Sequence, residues 1–237
     1  MRPPITSLPR YFNDERGRRD FVDGLFDRTA GDYDFVERVL ALGSGTRYRR
    51  DALRRAGLAA GMRVLDIATG TGLVAREALA LGGSVVGLDP SAGMLGEAQR
   101  LAYPLVRALG EKLPFRDGCF DFVSMGFALR NVADIDALFA EMRRVLAPGG
   151  TACVLELTRP ANRFVAAPLR VFMTRVVPAL TWLARRDGAA LMNFYWDTIE
   201  ACVPPEAVLA SLERTGFRSV TRQLTIGMFS EYVARQR

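Results

Sequence analysis

A strand, loop and helix pattern near residue 70 constrains the fold of this chain most. Residues 64–67 form an apolar run that contains one acid, Asp66, and 68–72 follow as the turn Ala-Thr-Gly-Thr-Gly. Residues 73–81 then show the apolar spacing of a helix. Because glycine adopts positive φ at little cost and a helix start has free N–H groups, Gly70 and Gly72 suit the approach of a nucleotide-like ligand.

A second acid favours one ligand class over another. Asp89 ends the next apolar run, about twenty residues after Gly70, where a carboxylate can accept both hydroxyls of a ribose. Residues 70–75 match the dinucleotide pattern G-x-G-x-x-G/A, which is typical of NAD or NADP enzymes. Asp66, however, could hold the amino group of an amino acid, and S-adenosylmethionine carries one. We therefore predict S-adenosylmethionine, with a nicotinamide-dependent reductase as the alternative.

The composition excludes several kinds of chemistry. The chain of 237 residues has no histidine, which removes the commonest general base, the Ser-His and Cys-His nucleophiles and most zinc sites. The three cysteines, Cys119, Cys153 and Cys202, are odd in number and lie in or near apolar runs, so we expect buried free thiols. We predict no metal site.

Charge and hydropathy bear on the compartment and the partners. The N-terminus lacks the apolar core of a signal peptide and the longest apolar runs, such as 176–184, are short for a bilayer span, so we expect a cytoplasmic protein without a transmembrane helix. The net charge is +6, but the arginines are scattered apart from groups within 10–19 and 47–55. We interpret them as solvated helix faces and predict no nucleic-acid partner. A weak attraction to anionic lipid and a homodimer are left open.

Alternating strand and helix patterns from residue 63 onward define the fold class. They predict an α/β fold with a doubly wound, Rossmann-like, seven-stranded sheet that is mostly parallel and ends in an antiparallel hairpin. We expect strands at 63–67, 84–88, about 104–108, 120–125, 151–157, 217–223 and 227–233. We expect helices at 73–81, 91–100, 134–146 and 205–215, the third of them ending at Pro148-Gly149-Gly150.

Two further regions are expected to form a helical lid. Residues 1–56 are predicted to be an N-terminal arm, mobile over about the first twenty residues, with short helices within 21–41 and a helix at 49–56. Residues 57–237 would form the ligand-binding domain, with a lid insertion at about 158–204 that is rich in large apolar residues. Ligands of such sheets bind beyond the carboxyl ends of the strands, so we predict an apolar or aromatic substrate under this lid.

Several motifs together resemble one family, the ubiquinone/menaquinone C-methyltransferases of the UbiE/COQ5 type, which are class I S-adenosylmethionine-dependent enzymes. The likeness covers about residues 21–234, and Leu129-Arg130-Asn131-Val132 is its most discriminating part. The other matching segments are Phe26 to Ala30, Tyr33-Asp34, Leu113-Pro114-Phe115, Phe120 to Val123, Arg144 to Gly150 and Leu155-Glu156-Leu157.

The resemblance implies transfer of the methyl group of S-adenosylmethionine to a ring carbon of a prenylated hydroquinone. Arg130 would stabilise the developing phenolate, Asn131 would orient it, and Tyr33 would cover the sulfonium or bind the substrate. Alignment and desolvation would supply most of the catalysis, which needs no histidine. The residues expected to contact the cofactor are Asp66, Ala68, Gly70, Gly72, Asp89, Pro90, Met94, Glu111, Lys112, Leu113 and Met125.

The chain departs from the family pattern at four places. Leu73 stands where the family has an acid, and Leu109 replaces a polar residue for which Glu111 could compensate. Gly45-Thr46 replaces a His-Arg pair, and the motif before the sixth strand is altered to 194–199, Phe-Tyr-Trp-Asp-Thr-Ile. Because the last change falls in the lid, a methyltransferase that acts on a phenol, polyketide or other apolar metabolite is the main rival hypothesis. A non-catalytic partner subunit and an RNA methyltransferase are weaker ones.

Overall fold

A single seven-stranded sheet organises the chain. The computed structural model describes residues 8–160, 162–184 and 189–237. The strands lie in the order β3-β2-β1-β4-β5-β7-β6; β1 to β5 pair in parallel and β7 runs antiparallel to both of its neighbours. This confirms the predicted α/β fold. The strands are β1 (Arg63–Ile67), β2 (Ser84–Asp89), β3 (Leu105–Arg107), β4 (Phe120–Gly126), β5 (Leu146–Leu157), β6 (Arg218–Thr225) and β7 (Phe229–Arg235).

Helices cover both faces of the sheet and a third group lies over its end. One face packs against α5 and α9, the other against α2, α3 and the end of α4, and α1, α7 and α8 form a separate apolar cluster. The helices are α1 (Glu15–Leu40), α2 (Gly45–Arg55), α3 (Leu73–Ala80), α4 (Ala92–Ala98), α5 (Ile135–Val145), α6 (Arg163–Val171), α7 (Val177–Leu183), α8 (Ala189–Ala201) and α9 (Pro205–Arg214). Short 3-10 turns occupy Gln99–Leu101 and Leu129–Asn131.

The N-terminal region differs from the prediction of short helices after a mobile arm. One continuous helix, α1, begins at Glu15, because the Asp14 side chain caps it by accepting from the Gly17 N–H at 2.7 Å. Residues 1–7 of the predicted arm lie outside the described part of the chain. The arm is therefore ordered as helix from Glu15 onward, earlier than expected.

The helix α5 also ends earlier than the sequence suggested. It stops at Val145, and the strand β5 begins at the next residue and runs through the Pro-Gly-Gly turn. Gly149 there has φ +77°, and the register with β4 shifts across the turn. The turn therefore acts as an irregularity within a strand rather than as the stop of a helix.

The predicted insertion contains a helix that is longer than the apolar run in the sequence. The helices α6 and α7 are joined by a π-helical turn, Phe172–Val176, into one segment, Arg163–Leu183, which we call the apolar helix. Pro168 lies inside it. By length and composition it could cross a membrane, which corrects the expectation that no segment is long enough. Only 22% of its most apolar window is buried.

The arginines of α2 are less solvated than expected. Arg49 is only 3% exposed and pairs with Glu37, while Arg50 and Arg55 bind the buried carboxylates Glu77 and Glu231. These pairs attach α2 to α1, α3 and β7. The cysteines agree with the prediction in part, since all three are free thiols but only Cys153 is fully buried.

Candidate active site

The loop after β1 is held in a conformation that few residues adopt. Ala68, Gly70 and Gly72 have φ values of +51°, +57° and +90°. A Cβ on Gly72 would lie 2.6 Å from Leu101 Cδ1, whereas one on Gly70 would meet nothing within 4 Å. Gly72 is thus required by packing, and Gly70 faces open space. A non-glycine residue in the left-handed region, such as Ala68, stores strain that is common at binding sites.

Asp66 fixes this loop from beneath. Its carboxylate is 1% exposed and accepts hydrogen bonds from Thr69 Oγ1 and Ser124 Oγ, both at 2.7 Å. Burial raises the pKa of Asp66 to about 6, against the effect of those hydrogen bonds. The side chain is not among the residues that line the cavity described below. Asp66 therefore ties the loop to β4, and any ligand contact would have to come through the loop.

Asp89 holds two loops and also faces the cavity. One carboxylate oxygen accepts from the Gly70 N–H and the other from the Ser91 N–H, each at 2.9 Å. Burial raises its pKa to about 6, and the two N–H groups oppose that shift. The nearby carboxylate of Asp66 raises it further, so the floor of the site favours a cationic ligand.

A cavity that is open to solvent at its mouth lies beyond the carboxyl ends of β1, β2 and β4, where ligands of such sheets bind. Nine of the predicted site residues line it: Tyr33, Ala68, Gly70, Asp89, Pro90, Met94, Glu111, Met125 and Asn131. Five do not, namely Asp66, Gly72, Lys112, Leu113 and Arg130.

The helix α1 roofs this cavity and is attached to its floor at two points. Asp27 accepts from the Ser91 hydroxyl and, at 2.9 Å, from the Gly93 N–H at the start of α4. About two turns further along the same face of α1, Asp34 accepts from Thr71 Oγ1 at 2.5 Å. Because residues seven apart share a helix face, these two acids anchor α1 directly over the glycine loop.

Two tyrosines meet at the roof. The Tyr195 hydroxyl of α8 donates to the Tyr33 hydroxyl of α1 at 2.8 Å, and both side chains line the cavity. Burial raises the pKa of each phenol, so both remain neutral near neutral pH. Phe26 packs against both rings. Tyr33 was predicted as a site residue; Tyr195 was not, although it belongs to the altered 194–199 motif.

Arg130 lies behind this pair rather than in the cavity. It is fully buried, forms a short ion pair with Glu156 of β5, and places its guanidinium carbon 4.6 Å from the centre of the Tyr195 ring. Its Nε and Nη2 have no hydrogen-bond partner among the described residues. The next residue, Asn131, does line the cavity, and its buried Oδ1 likewise lacks a described partner. Asn131 is thus a cavity residue with an unsatisfied buried acceptor.

Sequence analysis missed several other lining residues. Arg18, Val22 and Phe26 recur at helical intervals on α1, and the Arg18 guanidinium also donates to the Asn131 carbonyl oxygen. Phe127 has φ +59°, a strained value for an aromatic residue at the end of β4. The periodicity of α1 was visible in the sequence, but which of its faces meets the sheet was not. The further missed lining residues include Arg19, Asp23, Ser91 and Val132.

Comparison with known proteins shows the family of the chain. The model of the ubiE/COQ5 methyltransferase family matches residues 12–235. The chain belongs to this family. Two relatives are 37% identical to it: the demethylmenaquinone methyltransferase of Thermus thermophilus, over 88% of this chain and 98% of the relative, and the ubiquinone/menaquinone biosynthesis C-methyltransferase UbiE of Syntrophotalea carbinolica, over 88% and 91%.

Solved structures share the fold of this family member at lower sequence identity. Phosphoethanolamine N-methyltransferase 2 of Haemonchus contortus, in complex with S-adenosyl-L-methionine, superposes with a TM-score of 0.67 at 16% identity, over 97% of this chain and 61% of that one. A SAM-dependent methyltransferase from Aquifex aeolicus gives 0.58 at 19% identity, over 80% and 89%.

The protein is therefore an S-adenosylmethionine-dependent methyltransferase of the ubiE/COQ5 family. The cavity fits that cofactor, because it has a glycine loop with an open side, a carboxylate at the end of β2, and a floor that favours positive charge. The interpretation as a nicotinamide-dependent reductase is set aside. Among the described residues, no group of three acids or cysteines is arranged to hold a metal ion.

Proposed function

We propose that this enzyme methylates a ring carbon of a hydroquinone that carries an apolar side chain. The observation that supports it most is the small set of polar residues on an otherwise largely apolar cavity wall: Asn131, whose buried Oδ1 has no described hydrogen-bond partner, and Tyr33 and Tyr195, whose hydroxyls meet each other. A phenolic hydroxyl needs such an acceptor when it leaves water. The printed names of the two relatives, demethylmenaquinone and ubiquinone/menaquinone methyltransferase, agree with this substrate class.

The cofactor side of the proposal uses the floor of the cavity. S-adenosylmethionine supplies the methyl group on a cationic sulfonium and leaves as S-adenosylhomocysteine. Asp89 would accept the ribose hydroxyls, and Gly70 and Ala68 would let the ligand approach the backbone. Pro90, Met94, Glu111 and Met125 would surround the remainder. Asp66, Gly72, Lys112 and Leu113 would act by holding the loops that make these contacts.

The acceptor side uses hydrogen bonding to localise charge. A phenolic proton of the quinol, donated to Asn131 Oδ1, is partly withdrawn, which raises the electron density of the neighbouring ring carbon. That carbon forms the new bond to the methyl group as the methyl–sulfur bond breaks, and it then releases its own proton to water at the open mouth of the cavity, so the ring regains its aromaticity. The hydroxyls of Tyr33 and Tyr195 would stabilise the phenolate oxygen that develops.

Arg130 would be a positioning residue for this step. Its buried guanidinium, held by Glu156, faces the ring of Tyr195 and keeps a positive charge behind the tyrosine pair. A fixed charge in a water-poor site favours a developing phenolate without reorganisation. The apolar side chains of Val22, Phe26 and Phe127 would exclude water from the same space.

A second acceptor class is supported by one specific observation. Tyr195 stands in the altered 194–199 motif and lines the cavity, so the lid has changed where it would touch the acceptor. A phenol or polyketide without a prenyl chain could bind there by the same hydrogen bonds. The cytoplasmic location, the homodimer and the division into lid and cofactor domain remain predictions from the sequence.

The test is a methyl-transfer assay with a demethylated short-chain quinol, with the product analysed by mass spectrometry and carbon NMR. We expect a methyl group on a ring carbon. An O-methylated product, or S-adenosylmethionine binding without transfer to any quinol, would reject the quinol ring carbon as the acceptor and favour the second class. The variant Asn131→Ala is expected to raise the KM for the quinol with little effect on cofactor affinity, whereas Asn162→Ala, which alters an asparagine that caps α6, serves as the control.

A further inference from the structure

The apolar helix leaves an unusual amount of hydrophobic surface in solvent. Trp182 is 78% exposed, Phe164 is 75% exposed and Leu183 is 74% exposed, and further exposed apolar side chains lie between them. Single exposed apolar residues are common, but a row of seven along one helix, with an aromatic residue near each end, indicates an interaction surface. The other members of the row are Val165, Val171, Val176 and Leu180.

The opposite side of this helix is packed into the protein. Ala166, Met173, Val177 and Thr181 are buried, and the helix contacts α1 and α8 on that side. A helix that is fixed along one side and exposed along the other is amphipathic with respect to the fold. It can lie in the plane of an interface, but it cannot cross a bilayer without leaving its own core.

The charges beside this surface are of one sign. The apolar helix has no acidic residue, and its arginines Arg163, Arg170 and Arg175 are exposed with no carboxylate partner among the residues that the structure describes. An Arg-only segment beside exposed aromatic residues is the composition of helices that bind anionic lipid surfaces.

A groove beside the helix offers a place for an anionic headgroup. Arg159, Arg163 and Arg170 line it, with Glu200 as the single carboxylate among its described lining residues. Trp196 also lines it, is 2% exposed, and has an Nε1 donor without a described hydrogen-bond partner. A buried donor costs free energy unless something accepts from it, and a phosphate oxygen drawn in by three arginines would do so.

We propose that the apolar helix and this groove dock the enzyme onto the surface of an anionic phospholipid bilayer. The row from Phe164 to Leu183 inserts among the acyl chains, and the groove binds a lipid phosphate through Arg159, Arg163 and Arg170. Anionic lipid is favoured over a second copy of this chain because both partners of a dimer would bring arginines to the same contact. The purpose of this docking rests on the proposed quinol acceptor. The measurement of vesicle binding does not depend on that acceptor.

Docking at this face has a consequence for substrate entry. The apolar helix packs on α8, and α8 carries Tyr195 on the wall of the cavity. A long-chain quinol dissolved in the bilayer would thus meet the protein one helix layer away from its binding site. The expected benefit is a lower apparent KM for bilayer substrates and none for soluble ones.

Flotation with lipid vesicles tests the docking directly. The purified full chain is mixed with vesicles of phosphatidylcholine alone or of phosphatidylcholine and phosphatidylglycerol at about 3:1, and we expect at least about tenfold stronger binding to the anionic vesicles. The variant Arg163→Gln/Arg170→Gln should weaken that binding by about 30-fold. Its control, Arg54→Gln/Arg116→Gln, removes the same charge from exposed, unpaired positions elsewhere and should change binding by less than about threefold.

Two leucine variants, one on the apolar helix and one elsewhere, test the role of the exposed apolar side chains. Leu183→Ser should weaken binding to vesicles, whereas Leu42→Ser, which alters an equally exposed leucine at 79%, should not. Trp196→Phe keeps an aromatic ring and removes the N–H, so it should weaken binding to anionic vesicles only. Methyl transfer to a soluble short-chain quinol should be unchanged in all these variants, which separates a failure of docking from a failure of the proposed function.

Three results would overturn the proposal. They are equal binding to both kinds of vesicle, an equal loss of binding in the two double arginine variants, and a shift from dimer to monomer in Leu183→Ser without lipid. The first two would mean that the groove and its arginines have no special role. The third would mean that a second copy of the chain covers the apolar helix.

Discussion

The hydroxyl of Tyr195 donates to that of Tyr33 at 2.8 Å, which joins two helices that are 162 residues apart in the sequence. Behind this bond, the guanidinium of Arg130 faces the Tyr195 ring and pairs with Glu156. A connected set of polar groups thus runs from β5 at the centre of the sheet to the roof of the cavity. The family motif that contains Arg130 is therefore linked to the acceptor side through a residue that the motif does not contain.

The tyrosine pair should act as a unit in turnover. We expect Tyr195→Phe to lower kcat/KM for the quinol by about five- to tenfold, because the Tyr33 hydroxyl loses the hydrogen bond that supports its own donation to the developing phenolate. Tyr33→Phe should have a similar effect, and the double variant should lose less than the product of the two. Tyr11→Phe is the control, since its hydroxyl bonds to Asp197 outside the cavity. Strict additivity would show that the two hydroxyls do not share one ligand.

Asp89 should matter for the cofactor rather than for the acceptor. Asp89→Ala is expected to weaken S-adenosylmethionine and S-adenosylhomocysteine binding by roughly 1.5 to 3 kcal/mol, because charge-assisted ribose hydrogen bonds and the support of the Gly70 N–H are lost. Isothermal titration calorimetry measures both. Asp20→Ala, an exposed acid on α1, should leave the affinities unchanged. Unaltered affinity in Asp89→Ala would remove this residue from the ribose site.

The cofactor affinity should depend on pH through the same carboxylate. Burial raises the pKa of Asp89 to about 6, and a cationic ligand with ribose hydroxyls requires the ionised form. The affinity for S-adenosylmethionine should therefore be constant above that pH and fall by up to about tenfold per unit below it. Titrations between pH 5 and 8 test this, as about one proton should be released on binding at low pH. A flat profile would contradict the raised pKa.

The stability of the ligand-free protein should depend on pH with the opposite sign. The folded pKa of Asp66 is about 6, above the ordinary value of 3.8, so the folded state holds its proton more tightly than the unfolded chain. This group stabilises the fold most below pH 3.8, and its contribution is lost as the pH rises to about 6. Asp66→Asn should flatten that part of the stability profile in urea denaturation. A contribution that instead grows from pH 4 to 6 would contradict the assignment.

Breaking the ion pair of Arg130 and Glu156 should lower the free energy of unfolding strongly, whereas replacing both residues by apolar ones should lower it much less. Either Arg130→Met or Glu156→Met leaves a buried group without its partner, and we expect a loss of about 3–5 kcal/mol in the free energy of unfolding. The double variant Arg130→Met/Glu156→Met should recover much of this loss. Arg63→Met, which breaks a more exposed pair with Asp121, should have little effect on the free energy of unfolding. If the double variant lost as much as the sum of the single ones, the pair would not be coupled.

The roof should loosen when one of its anchors is removed. Asp27→Ala takes away the acceptor for the Ser91 hydroxyl and the Gly93 N–H, which should cost about 1 kcal/mol as other helix caps do. Hydrogen exchange of α1 should become faster in the ligand-free protein and recover with S-adenosylhomocysteine. Exchange unchanged from the native protein would mean that Asp27 is not needed to hold α1 in place.

Much of the sheet could be predicted because its signals are local. The strand β1 is found at its expected bounds, and most other elements from residue 63 onward lie within two residues of them. The lid was predicted less well. The helix α1 was expected as short pieces, and 176–184 was among the longest apolar runs expected, whereas the apolar helix extends from Arg163 to Leu183 and contains Pro168 and Pro178. A π-helical turn and packing on α8 keep that helix continuous, and neither has a sequence signal.

The sequence by itself determined the α/β order, the glycine loop and Asp89, because each depends on residues that are close along the chain. Only the tertiary structure decided that Asp66 supports the loop from beneath, that Arg130 is buried behind Tyr195, and that Asn131 is the neighbour with a free acceptor. The physical reason is that each of these buried polar side chains pairs with a group from a distant segment of the chain. Which partner it finds depends on how those segments pack together. Glu156, Tyr33 and Tyr195 meet Arg130 only after the sheet and the lid have closed on one another.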